Sequence, residues 1–103
     1  MIALVLAAAL NCGATATQAD LDECASASNK AAMAREARAY KALVQRHPND
    51  SVLSASETQW QRERRATCDF YAAMVAGGSM TPMVVDNCWA DSADDRVRVL
   101  ALY

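Results

Sequence analysis

Cys68-Asp69-Phe70-Tyr71-Ala72-Ala73-Met74-Val75-Ala76-Gly77-Gly78-Ser79-Met80-Thr81-Pro82-Met83-Val84-Val85-Asp86-Asn87-Cys88 is the stretch whose reading decides the fold of this 103-residue chain. Gly77 and Gly78 interrupt a helical pattern, because glycine adopts the left-handed backbone of a helix stop without a Cβ clash. Thr81-Pro82 then restarts one, with proline at the first helical position. Cys68 lies ten residues before Gly78 and Cys88 ten after it. In a helical hairpin folded at that turn the two cysteines are level, and a Cys68–Cys88 bridge follows naturally. Its loop of about 20 residues would stabilise the fold by about 3 kcal/mol.

Working back from the turn, the second helix carries an apolar stripe of Leu53, Trp60, Cys68, Tyr71, Met74 and Val75, with Arg64 on the same face. It starts near Ser51 or Ser54, either of which can serve as N-cap. Before it, His47-Pro48-Asn49-Asp50 breaks the chain, since proline drives the preceding residue out of the α region. A first helix is predicted from Gln18 to Gln45 with Leu21, Cys24, Ala25, Ala32, Met33, Tyr40 and Leu43 near helical spacing. Thr17-Gln18-Ala19-Asp20 in front of it has the form of a capping box. The third helix runs from Thr81-Pro82 to the C-terminus on Met83, Val84, Cys88, Val97, Leu100 and Ala101. Short connections between helices imply antiparallel neighbours. The expected fold is all-α, a small antiparallel three-helix bundle stapled by two disulfides. Four cysteines allow three pairings; the level argument favours Cys68–Cys88 and leaves Cys12 for Cys24. Glu36 and Arg64 each lie fourteen residues from Asp50, which sets them level as an expected ion pair. Trp60 and Tyr40 are expected to anchor the core.

Composition bounds the function. Hydrophobic residues make up 53% of the chain, which argues against disorder, and a net charge of −2 lacks the basic excess that nucleic acid requires. An even cysteine count behind an apolar start reads as an oxidising compartment, periplasmic or secreted. Residues 1–9 have the character of a signal peptide h-region, cleaved near Ala9, although no Lys or Arg precedes the apolar run. That run is too short to span a bilayer, so no stable membrane insertion is expected after cleavage. Residues 10–103 are then a single helical domain. Asn11 before Cys12 is not the small residue a lipid-modified cysteine wants. There is no Cys-x-x-Cys, and the single histidine, His47, sits in a turn. Metal and cofactor sites are therefore not expected, and no nucleophile–base arrangement marks an enzyme.

The segment Cys12-Gly13-Ala14-Thr15-Ala16-Thr17-Gln18-Ala19-Asp20-Leu21-Asp22-Glu23-Cys24-Ala25 resembles the start of the LprI-type lysozyme-inhibitor domain of bacteria. Trp60 with Arg64 and Cys68, the Gly77-Gly78-Ser79-Met80 turn with Pro82-Met83, and Cys88 with Arg96 and Leu100 carry the likeness through the rest of the chain. It departs at Arg65, where the family often has an acid, at Ala93, where threonine is frequent, and at Asn29, where an aromatic is common. The resemblance implies an exported, helical, disulfide-bonded protein that inhibits lysozyme by binding it.

Candidate contact residues follow. Asp20, Asp22 and Glu23 open the first helix and Asp86 lies one turn into the third, so all four should crowd the Gly77-Gly78 end. Lysozymes are generally basic, and an acidic end suits them; the ordinary reading is that acids decorate helix N-termini. Trp89 is expected to be the exposed aromatic and hence an interface residue. Arg62, Arg64 and Arg65 form a basic patch that more ordinarily is a solvated face. Met74, Met80 and Met83 around the turn could attract copper(I), but methionines in such places usually fill core gaps. A lysozyme inhibitor and a non-catalytic interaction module of the bacterial envelope with another protein partner are the two readings carried forward. The first demands polar or acidic groups on an exposed rim, the second an exposed apolar patch.

Overall fold

The computed structural model describes residues 10–103; the expected signal peptide over 1–9 lies outside them. Three helices follow in order, α1 (Gln18–Arg46), α2 (Ser51–Met74) and α3 (Thr81–Leu100), with no strand among the described residues. α1 begins at a full capping box: Asp20 N–H donates to Thr17 Oγ1 at 3.1 Å, and Thr17 N–H donates to Asp20 Oδ2 at 3.0 Å. It ends one residue beyond the expected limit, with His47 N–H bonded to the Leu43 carbonyl at 2.8 Å.

α2 starts at Ser51, yet its cap is neither serine. The Asp50 carboxylate accepts the N–H groups of Val52 and Leu53, both at 3.0 Å, so two otherwise orphaned donors share one side chain. Asn49 reaches that cap through a left-handed φ of 62°. At the other end α2 stops at Met74, and Gly77 takes the expected left-handed φ of 83° three residues later. Pro82 occupies the first turn of α3, where its missing N–H costs nothing.

Both expected bridges are present, Cys12–Cys24 and Cys68–Cys88, and no described cysteine is free. Residue pairs ascend together along α1 and α3: Asn29 with Asp86, Arg35 with Asp94, Leu43 with Leu100. Along α2 and α3 they run in opposite order: Glu57 with Arg96, Arg64 with Trp89, Cys68 with Cys88.

The core is thin and built mostly from small side chains. Ala32 on α1 and Ala93 on α3 are both 0% exposed and cluster with Ala90, and Trp60 of α2 packs against them. Alanine lets two helix backbones come close, and that is how α1 seats on α3. A second cluster joins one leucine from each helix, Leu43, Leu53 and Leu100, with Ala39 and Tyr40 along its edge. Trp60 and Tyr40 thus border the core half-buried rather than sitting inside it. Asn29 and Ala93, two of the departures from the family pattern, both lie at this seam: Asn29 Nδ2 donates to Asp86 at 3.0 Å, and Ala93 is fully enclosed. Ala32→Leu would force a branched side chain into a closed site. Overpacking of this kind costs about 1–3 kcal/mol, and urea denaturation should show that loss, with Ala31→Leu on the exposed side of the same turn near neutral.

Candidate functional site

Four charged residues fall in the same helical phase as the buried ones: Glu36 on α1, Glu57 and Arg64 on α2, Arg96 on α3. All four are 6–7% exposed. Burying charge is expensive unless partners replace the lost water. Arg96 Nε donates to Glu57 Oε1 at 3.0 Å, and its Nη2 to Ser56 Oγ at 3.0 Å. Arg64 takes a different course. Its guanidinium lies 5.1 Å from the Trp60 ring centroid and 4.3 Å from that of Trp89, while Nη2 donates to the Trp89 carbonyl at 3.0 Å. Two indoles and a carbonyl thus supply the electron density that water would have supplied.

The expected Glu36–Arg64 ion pair is not made. The level argument does bring Glu36 into the same network, but Arg64 Nε and Glu36 Oε1 are both without a hydrogen-bond partner. Glu36 instead meets Glu57. Burial pushes the Glu36 carboxyl up to about 8, helped by its hydrogen bond to Glu57 and by that neighbour's negative charge, against the pull of Arg96 and Arg64. Below that pH Glu36 is a neutral acid that keeps its proton and donates a hydrogen bond to Glu57. Burial also lowers the Arg64 guanidinium from its ordinary value, with the two glutamates opposing.

The acids expected at the Gly77-Gly78 end are largely engaged in hydrogen bonds, at the start of α1 or across the α1–α3 seam. Asp20 closes the capping box, Asp22 accepts from Gln18 Nε2 at 2.9 Å, and Asp86 accepts from Asn29. Gln18 Nε2 also lies 3.7 Å from Met83 Sδ, which ties the starts of α1 and α3 together. Glu23 is exposed. Trp89 is half-buried against Arg64 rather than exposed; the exposed aromatics are Phe70, Tyr71 and Tyr103. Arg64 is withdrawn from the expected basic patch, leaving Arg62 and Arg65 in solvent. Met74 and Met80 are exposed and Met83 is half-buried, so they do not fill one common core gap.

Sequence reasoning missed the groove between α2 and α3. It encloses roughly 890 Å³, with Trp60, Arg64 and Tyr71 on one wall and Val84, Arg96 and Val99 on the other. The charged stripe Glu57, Arg64 on α2, in phase with Leu53, Trp60 and Cys68, was its sequence signal: opposite charges on a core face must find each other, and they hold the helices that frame the groove.

The family model described as "Lysozyme inhibitor LprI" matches residues 10–100. The chain belongs to the LprI family. The match takes in all four cysteines and all of α1, α2 and α3. No curated protein and no solved structure matches the chain. The two disulfides and the LprI membership are consistent with an extracytoplasmic protein. No helix among the described residues is long and apolar enough to cross a membrane.

Glu36 gives this LprI domain a defined pH response. Its folded pKa is raised from 4.5 to about 8, so between those values the folded state binds a proton that the unfolded chain has released. Stability from this group is complete below about 4.5 and declines as pH rises to about 8, where it levels off. The limiting slope is about 1.4 kcal/mol per pH unit. Glu36→Gln keeps a donor toward Glu57 and removes the titration. Denaturation midpoints at several pH values should fall with rising pH in the wild type and more weakly in the variant, which should be the more stable protein at pH 8. Parallel curves would mean that Glu36 does not carry the proton.

Proposed function

We propose that this protein is an exported lysozyme inhibitor, periplasmic or secreted, that acts by docking on the enzyme rather than by catalysing a reaction. The observation that carries this reading is the LprI match, which extends over residues 10–100 and so over the whole helical bundle. The chemistry of the side chains supports it. His47 lies in the α1–α2 turn with its ring edge-on to Tyr103, centroids 4.5 Å apart, while the nearby Asp50 carboxylate is taken up by the cap of α2 and by the Tyr103 hydroxyl. All four cysteines are spent in bridges. What such a surface offers a partner is shape and charge.

The acidic end keeps a role in this reading. Asp20 and Asp22 are bonded within the start of α1, Asp86 to Asn29 across the α1–α3 seam, and Glu23 stands in solvent; an acidic end of this kind attracts a basic enzyme over a distance set by salt. A specific observation also favours the envelope-module alternative. Phe70, Tyr71 and Met74 are 64%, 43% and 57% exposed on consecutive turns of α2, and Phe70 and Tyr71 lie 6.3 Å apart ring to ring. An apolar step of that kind suits a protein partner other than a highly charged enzyme.

Purified oxidised protein should reduce the muralytic rate of at least one lysozyme class, and the effect should saturate. Replacing Asp20, Asp22, Glu23 and Asp86 by their amides should slow association at low ionic strength and matter less as salt rises. Circular dichroism checks that the variant stays folded. A wild type that inhibits no lysozyme class moves the assignment to the envelope module.

A further inference from the structure

The α2–α3 groove sorts its charges by depth. At the bottom, Arg64 and Arg96 are buried and occupied, the first between two indoles, the second on Glu57 and Ser56. At the lip the charged residues are Glu63, Asp91 and Asp95, all exposed and all acidic. Asp95 pairs with Arg98 and Glu63 accepts from Gln59, while Asp91 is in no ion pair among the described residues. Between lip and floor the walls are uncharged, with Trp60 and Val84 beside polar side chains such as Thr67 and Asn87, and Tyr71 and Val99 are 43% and 54% exposed at opposite ends. The α2 wall runs from Ser56 to Tyr71, about 22 Å at the rise of an α-helix. That length takes about six or seven residues of extended chain.

An anionic lip over uncharged, partly apolar walls is the complement of a lysine or arginine side chain, which presents a long aliphatic stem below a charged head. The walls are also fixed in advance. Cys68–Cys88 ties them at one end with Cα atoms 5.6 Å apart, and Arg96 ties them toward the other through Glu57 and Ser56. A partner entering such a groove need not order it, which lowers the cost of binding. We infer that the groove between α2 and α3 seats an exposed cationic segment of the inhibited lysozyme, with Asp91 and Glu63 meeting its charged heads and Tyr71 and Val99 covering their stems. The inference rests on the lysozyme-inhibitor reading and gives it a contact surface away from the acidic end.

The test compares inhibition by the wild type, Asp91→Lys, Tyr71→Ser and Asp69→Lys at about 0.1 M and about 0.5 M salt, where charge screening differs about twofold in range. Asp69 is exposed on α2 and lies outside the groove, so its reversal changes the net charge as Asp91→Lys does without touching the lip. Asp91→Lys should raise the half-inhibitory concentration about tenfold at both salt levels, and Tyr71→Ser about threefold. Asp69→Lys should have under about a twofold effect at the higher salt, where long-range attraction is screened. Equal effects of the two charge reversals would overturn the groove, because net charge alone would then explain them. A wild type that inhibits while only the acidic-end amide variant fails would also overturn it and leave the inhibitor reading standing. If the wild type inhibits no lysozyme, the inhibitor reading falls first and the groove assignment falls with it.

Discussion

The hydrogen-bonded chain from Glu36 to Glu57 to Arg96 is where α1, α2 and α3 meet, and the arrangement of the bundle depends on it. Each residue comes from a different helix, so none of the three can rotate or slide without leaving a buried polar group without its partner. Well-packed apolar residues would often be as stable as a buried ion pair, whereas removing one partner costs about 3–5 kcal/mol. The network therefore acts on register more than on total stability. Arg64 extends it sideways: held between Trp60 and Trp89, it carries the constraint from the ion pair to the stretch of α3 beside Cys88.

That polar centre makes sense beside a core that has little else to offer. A domain of about this size buries only about 60–65% of its unfolded surface. Here the central apolar cluster is alanine with one tryptophan against it, and the leucine cluster lies toward the α1–α2 turn. Small residues bring α1 and α3 together but contribute little apolar area. α3 thereby divides its surface. Ala90 and Ala93 serve the seam with α1, while Val84, Asp91 and Val99 line the groove shared with α2. Stability and the candidate contact surface are thus on different faces of one helix.

Much of this was legible because helices convert sequence distance into height at a constant rise. Pro48 and the Gly77-Gly78 pair mark the two turns, and equal counting from Gly78 pairs Cys68 with Cys88 as the structure has them. Counting likewise brings Glu36 into the same layer as Arg64. It cannot choose among hydrogen-bond partners at one height, and there the expectation failed: the guanidinium bonds the Trp89 carbonyl and faces two indoles. Trp89 looked exposed for the same reason, since what covers it comes from another helix. The cap of α2 was missed because Asp50 competes with two nearby serines of similar capping strength, and only geometry shows which oxygen reaches two N–H groups. The groove was legible only indirectly, through the charged residues Glu57 and Arg64 on the core face of α2, because a gap between helices leaves no periodicity of its own.

The two disulfides divide the molecule covalently in an uneven way. Cys12–Cys24 links the first segment to α1, and Cys68–Cys88 links α2 to α3; their sequence separations are 12 and 20. Neither bridge crosses the turn between Arg46 and Ser51. The molecule is therefore two cross-linked halves on a single thread, and a protease that cut that thread would leave α1 attached through noncovalent contacts alone: alanine packing, three leucines, the Arg35–Asp94 pair, and the hydrogen bonds of Asn29 with Asp86 and Glu36 with Glu57. Neither bridge could hold a nicked molecule together, so its cohesion would rest on packing and polar contacts, one of which, Glu36 with Glu57, titrates.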